Sequence, residues 1–270
     1  MKKTTRRVLL AVLIAVFLVS GGMMLRQLGD YQQGDETYGS AESLAGLPDF
    51  SAISWPEDTG SGSAAAQDPA VPYVDPYADA LAAMDFAALR EVNSDILGWI
   101  LIPNTRVSYP FLQGTDNDYY LRRTWRKGSS AVGAIFVEAS NSGDLTDFNT
   151  VIYGHNMTDG SMFGVLAKYE DDVFRKGHSR LLLQTEGGVE EYAVAAVLKT
   201  DAAQLPFNRT VFASDADYLS FAAELGVSVT SADERLLTLV TCAYDWDGAR
   251  TVVVARRVVP SDLHRYSLCD

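Results

Sequence analysis

Apolar residues run almost without interruption from Val8 to Leu25, the chain then turns polar as far as residue 75, and short apolar runs separated by turns fill the remainder. The first run is long enough to cross a bilayer: 18 residues at about 1.5 Å each reach about 27 Å. Further on, Leu81, Met84, Ala88, Leu89 and Val92 recur at helical spacing and predict an amphipathic helix over 77–92. Trp99-Ile100-Leu101-Ile102 predicts a strand, closed by Pro103-Asn104. Similar runs predict strands at 107–112, 134–137, 150–153, 180–184, 191–198, 236–241 and 251–256, with short helices over 162–169 and 216–225. Many strands with few helices indicate a mainly β fold, a closed or nearly closed barrel with added helices. Periodicity alone leaves the strand order open.

Charge divides the chain further. Residues 1–26 hold five bases (Lys2, Lys3, Arg6, Arg7, Arg26) and no acid, which leaves 17 bases against 35 acids elsewhere, a net charge of −18. Bases ahead of an apolar run are retained in the cytoplasm, so residues 1–26 read as a cytoplasmic stub and membrane anchor, with the rest outside. A cleaved signal peptide is the rival reading, kept open by Ser20-Gly21-Gly22 and disfavoured by the length of the run. Residues 27–75 contain no Lys or Arg and include Gly60-Ser61-Gly62-Ser63-Ala64-Ala65-Ala66, the composition of a flexible acidic tether. Phe50 and Trp55 within it read as solvated. Residues 76–270 then form the folded domain. Its acidity repels phosphate backbones and excludes nucleic acid as a partner. The two cysteines, Cys242 and Cys269, are expected to be unbridged.

Three residues carry candidate chemistry. Cys242 ends the run Thr238-Leu239-Val240-Thr241 and opens onto a polar loop. A lone cysteine more often packs as a small hydrophobe; a strand-end position and a nearby cation favour a thiolate instead. His155 follows Val151-Ile152-Tyr153-Gly154 in a similar setting, either as a structural loop histidine or as the proton carrier for a thiol. His178 reads as part of a solvated turn, and His264 lies beyond the last strand. Arg250 opens the strand after the Cys242 loop. A hairpin there would bring it beside the cysteine, where a guanidinium can donate to an oxyanion. One cysteine and one histidine fall short of a zinc set, and no C-x-x-C, H-x-x-x-H, G-x-G-x-x-G or P-loop pattern occurs, so neither a metal nor a cofactor is expected.

Thr238–Cys242, with Val240 in the variable place, resembles the TLxTC motif of the sortase family, and His155 and Arg250 fall on that family's histidine and arginine. Gly98-Trp99-Ile100, the run from Asp116 to Leu121, the run from Asn149 to Met157 and Asp159-Gly160-Ser161-Met162-Phe163 resemble class B. The resemblance covers about 77–259. It implies an eight-stranded barrel anchored by its N-terminus outside a Gram-positive-type cell. It also implies a cysteine transpeptidase: Cys242 cleaves a C-terminal sorting signal after Thr and holds the protein as a thioacyl-enzyme. The protein then passes to a peptidoglycan precursor or cross-bridge amine. His155 would serve as general acid and base, and Arg250 would steady the oxyanion or the signal. Asp75-Pro76-Tyr77 resembles the lid of pilus-building class C sortases, although a helix cap explains the same residues. A pilus polymerase, a mainly hydrolytic surface endopeptidase and a tethered binding protein are the alternatives.

Overall fold

The computed structural model describes residues 3–53 and 75–258. The expectations for Gly60–Ala66, Trp55, His264 and Cys269 lie outside these residues.

Eight strands close into a barrel in the order β1-β2-β3-β4-β7-β8-β6-β5. They are β1 (Ile96–Leu101), β2 (Ser108–Gln113), β3 (Ile135–Val137), β4 (Asn149–Tyr153), β5 (Arg180–Thr185), β6 (Gly188–Thr200), β7 (Leu236–Cys242) and β8 (Arg250–Arg257). Each matches an apolar run of the sequence. Six neighbour pairs are antiparallel; β2–β3 and β4–β7 are parallel. The parallel pairing of β4 with β7 decides where the chemistry goes, because it brings the C-terminal ends of two distant strands to one rim.

The central strands are buried on both faces, which is why they read as continuous apolar runs rather than alternating ones. Leu237, Leu239, Val253 and Ala255 face the main core with Trp99 and Phe111. Their neighbours Leu236, Val240, Val252 and Val254 face a second core under α5 (Asp215–Glu224), which supplies Tyr218, Phe221 and Ala222. Ser214 caps α5 by accepting from the Asp217 amide.

The helix predicted over 77–92 is two helices, α2 (Pro76–Ala82) and α3 (Phe86–Val92). The break occurs because the Asp85 side chain accepts from the Ala88 amide and starts a new helix. Asp75 caps α2 ahead of Pro76 through the Tyr77 and Ala78 amides, and its other carboxylate oxygen pairs with Arg180 on β5. Tyr77 is fully buried and bonds Asn104 at 3.0 Å, so these three residues act as cap and core. A short helix, α4 (Asp172–Gly177), was not anticipated, nor was its consequence for His178. That imidazole stacks on Phe174 at 3.9 Å and bonds the Phe174 carbonyl at 2.8 Å, so it caps a helix rather than occupying a solvated turn.

The largest departure concerns residues 27–53. α1 (Lys3–Leu44) is one continuous helix of 42 residues, and it is long and apolar enough to cross a membrane. Its apolar side chains from Leu9 to Leu28 are exposed, whereas Tyr38, Ala41 and Ala45 are buried against the barrel. Phe50, expected to be solvated, stacks on Tyr77 with centroids 5.8 Å apart. A flexible tether therefore does not describe residues 27–53. Residues 38, 41 and 45 stand at helical spacing, a signal diluted by the surrounding Gly, Ser and Asp when composition alone is read.

Candidate functional site

Two registers assemble the site. In the β7–β8 hairpin Cys242 lies directly opposite Arg250, the pairing that the sequence predicted. In the parallel β4–β7 pair Tyr153 lies opposite Val240, so His155, two residues beyond Tyr153, leaves β4 where Cys242 ends β7. Loop bonds lock the two strand ends together. The Gly154 amide donates to Val240 O at 3.1 Å, and Thr241 Oγ1 donates to Gly154 O at 2.7 Å. Asn156 Nδ2 donates to the carbonyl of Cys242 itself at 2.7 Å.

Cys242, His155 and Arg250 all line one cavity of about 260 Å³. Cys242 is a free, half-buried thiol. His155 Nε2 lies 2.6 Å from Leu121 O. A carbonyl can only accept, so Nε2 carries the hydrogen and Nδ1 is left to exchange a proton. The ring is held closely from behind. Gly133 has φ +63°, and a Cβ at that position would lie 2.7 Å from both His155 Cδ2 and Leu121 O. Only glycine satisfies both the conformation and the space. Arg250 donates to its neighbour's carbonyl, Ala249 O, at 2.8 Å and forms no salt bridge among the described residues. Arg250 thus lines the cavity with its charge not neutralised by a carboxylate among the described residues.

The cavity lining also includes polar side chains, Glu138, Asn117, Tyr153 and Asn208, to which sequence reasoning assigned no role. Glu138 is buried just beyond β3; its carboxylate accepts from Asn117 Nδ2 at 2.6 Å and from the Tyr153 hydroxyl at 2.7 Å. Burial holds the Tyr153 phenol well above its ordinary pKa, and the Glu138 carboxylate adds to this against the opposing pull of Asn208 and Arg250. Tyr153 thus stays protonated and remains a donor. Asn208 also lines the cavity, on a loop that Asn149 fixes by donating to Phe207 O at 3.1 Å and Arg209 O at 2.8 Å. Glu138 does share one cue with His155, a polar residue at the end of an apolar strand. Gly133 and Asn208 carry no comparable cue, and Leu121 is marked only as the end of the run from Asp116. Among the described residues no group of three or more His, Cys, Asp or Glu side chains is arranged to hold a metal.

Residues 100–258 match the family model for the sortase domain. Sortase B of Listeria monocytogenes is 35% identical over 182 residues, covering 63% of this chain and 72% of that protein. Among solved structures, sortase B from B. anthracis in complex with AAEK1 superposes with a TM-score of 0.65 at 28% identity, covering 86% of this chain and 99% of that one. The Staphylococcus aureus sortase B–substrate complex gives a TM-score of 0.60 at 30% identity, over 65% and 85% of the two chains.

Proposed function

The chain belongs to the sortase family and is a class B cysteine transpeptidase, and on that premise we propose that Cys242, His155 and Arg250 are its reacting group. The observation that carries this is the convergence of three strand ends, β4, β7 and β8, on one cavity. Cys242 passes its proton to His155 Nδ1, and the thiolate attacks the carbonyl carbon of the threonine in a C-terminal sorting signal. Arg250 faces the oxyanion. As the C–N bond breaks, His155 returns the proton to the leaving amine, and a thioester remains on Cys242. An incoming cell-wall amine gives its proton to His155, attacks the thioester and releases the thiolate. A substrate complex of the S. aureus relative supports a sorting signal as the occupant of the cavity.

We further infer that α1 anchors the protein with its N-terminus in the cytoplasm and the barrel outside, as the bases at its start favour. The test is to incubate the detergent-solubilised full chain with a sorting-peptide library, with and without a glycine-type amine. Products are read by mass spectrometry, and hydroxylamine traps the thioester. Cleavage after Thr, amine-linked products and their complete loss in Cys242→Ala are expected. Turnover surviving in Cys242→Ala would sink the nucleophile assignment. Water-only products at saturating amine would replace transfer with hydrolysis.

A further inference from the structure

The N-terminal helix reaches the candidate acid–base residue. Tyr38 is buried, and its hydroxyl donates to the Gly133 carbonyl at 2.6 Å. The Ala134 amide, the other end of the same peptide unit, donates to Tyr120 O at 3.0 Å. That peptide plane is therefore pinned at both ends. It holds Gly133 against the imidazole edge of His155 and against Leu121 O, the acceptor for Nε2. The helix also grips the loop that leaves His155. Tyr31 and Thr158 share a hydrogen bond of 2.6 Å, and Asp35 pairs at 3.0 Å with Arg106, which donates to Asp159 O at 3.1 Å.

We propose that α1 is a positioning element for His155, acting through Tyr38 and the Gly133–Ala134 peptide. The proposal rests on the reading of His155 as the proton carrier. Tyr38 is not among the residues lining the cavity, so it is a positioning residue and not a catalytic one. Its effect follows from geometry. A peptide pinned by two hydrogen bonds presents one fixed surface to the ring, whereas one pinned only at Ala134 can tilt, and the ring plane tilts with it. Proton exchange at Nδ1 depends steeply on that orientation. The helix that crosses the membrane would thereby also set the acid–base geometry, and a protein lacking residues 31–45 would lose this support.

The test compares the full chain in detergent micelles with Tyr38→Phe, which keeps the edge-on ring contact to Tyr109 at 5.2 Å and removes only the donor. Asp35→Asn, at an exposed ion pair, is the second variant and leaves the core untouched. Readouts are kcat and KM on a sorting peptide, the unfolding temperature, and the pH midpoint of Cys242 alkylation by iodoacetamide, which needs no turnover. In Tyr38→Phe kcat should fall about 3–10-fold with KM within about two-fold, and the alkylation midpoint should move. Asp35→Asn should show a smaller change of the same kind. Unchanged kcat and midpoint in Tyr38→Phe, or losses in both variants that follow unfolding temperature with the midpoint fixed, would overturn the proposal. If His155→Gln also left the midpoint and kcat unchanged, the assignment of His155 itself would fall.

Discussion

Replacing Gly133 with Ala tests the site where its geometry is tightest. The added Cβ has two consequences that can be separated. The first is conformational: φ is +63° at Gly133, and a left-handed non-glycine residue costs roughly 1–2 kcal/mol. The second is steric. The Cβ would lie 2.7 Å from His155 Cδ2 and from Leu121 O, where ordinary contacts begin at 3.4 Å. The imidazole must therefore retreat by about 0.7 Å, adding about 1–3 kcal/mol of overpacking. Gly226 supplies the control, because it has φ +77° and its nearest neighbour is the Ala196 Cβ at 3.9 Å. Gly226→Ala should lose only the conformational part, about 1–2 kcal/mol, with kcat intact. Gly133→Ala should lose about 2–5 kcal/mol and, from the displaced ring, about 10–100-fold in kcat. Urea denaturation gives the stabilities, and cleavage of a fluorogenic sorting peptide gives kcat. Equal stability losses and equal kcat in the two variants would refute the claim that Gly133 is packed against a working imidazole.

Two further outcomes follow from buried polar contacts. Asn149→Ala would strand Phe207 O, Arg209 O and the Thr238 hydroxyl, which donates to Asn149 at 2.7 Å. It should lose about 3–5 kcal/mol in urea denaturation and raise KM more than it lowers kcat, since Asn208 sits between the released carbonyls; an unchanged stability would contradict this. Glu234 should make stability sensitive to acid. Burial raises its pKa, but Thr230 and Arg256 outweigh burial and hold it below the ordinary 4.5. A depressed carboxylate stabilises the fold above pH 4.5, and the benefit is lost as pH falls through its folded value. The gap in unfolding free energy between wild type and Glu234→Gln should be widest at pH 6 and close on acidification, and a gap independent of pH would exclude this linkage.

The amino-acid sequence by itself determined the strands and nominated the candidate site residues. All eight strands stand where apolar runs placed them, and strands such as β7 and β8, buried along most of their length, cannot be written without such a run. Cys242 and Arg250 were legible as partners, since a hairpin pairs residues equidistant from its turn. The tertiary structure alone decided the rest. Parallel pairing of β4 with β7 joins strands more than 80 residues apart, and no local pattern encodes which strand lies beside which. His155 could be nominated from its strand end and its motif, but its neighbours depended on that pairing. The close fit of Gly133 against its ring, the Glu138–Tyr153–Asn117 wall and the Asn149 brace on Asn208 are contacts between distant segments. The N-terminal helix shows the same division. Its apolar run, long enough to cross a membrane, is legible in the sequence, whereas Tyr38, Ala41 and Ala45 disclose their role only once a barrel exists for them to pack on. Local propensity and patterning are properties of neighbouring residues; a catalytic geometry is a property of the closed barrel that brings them together.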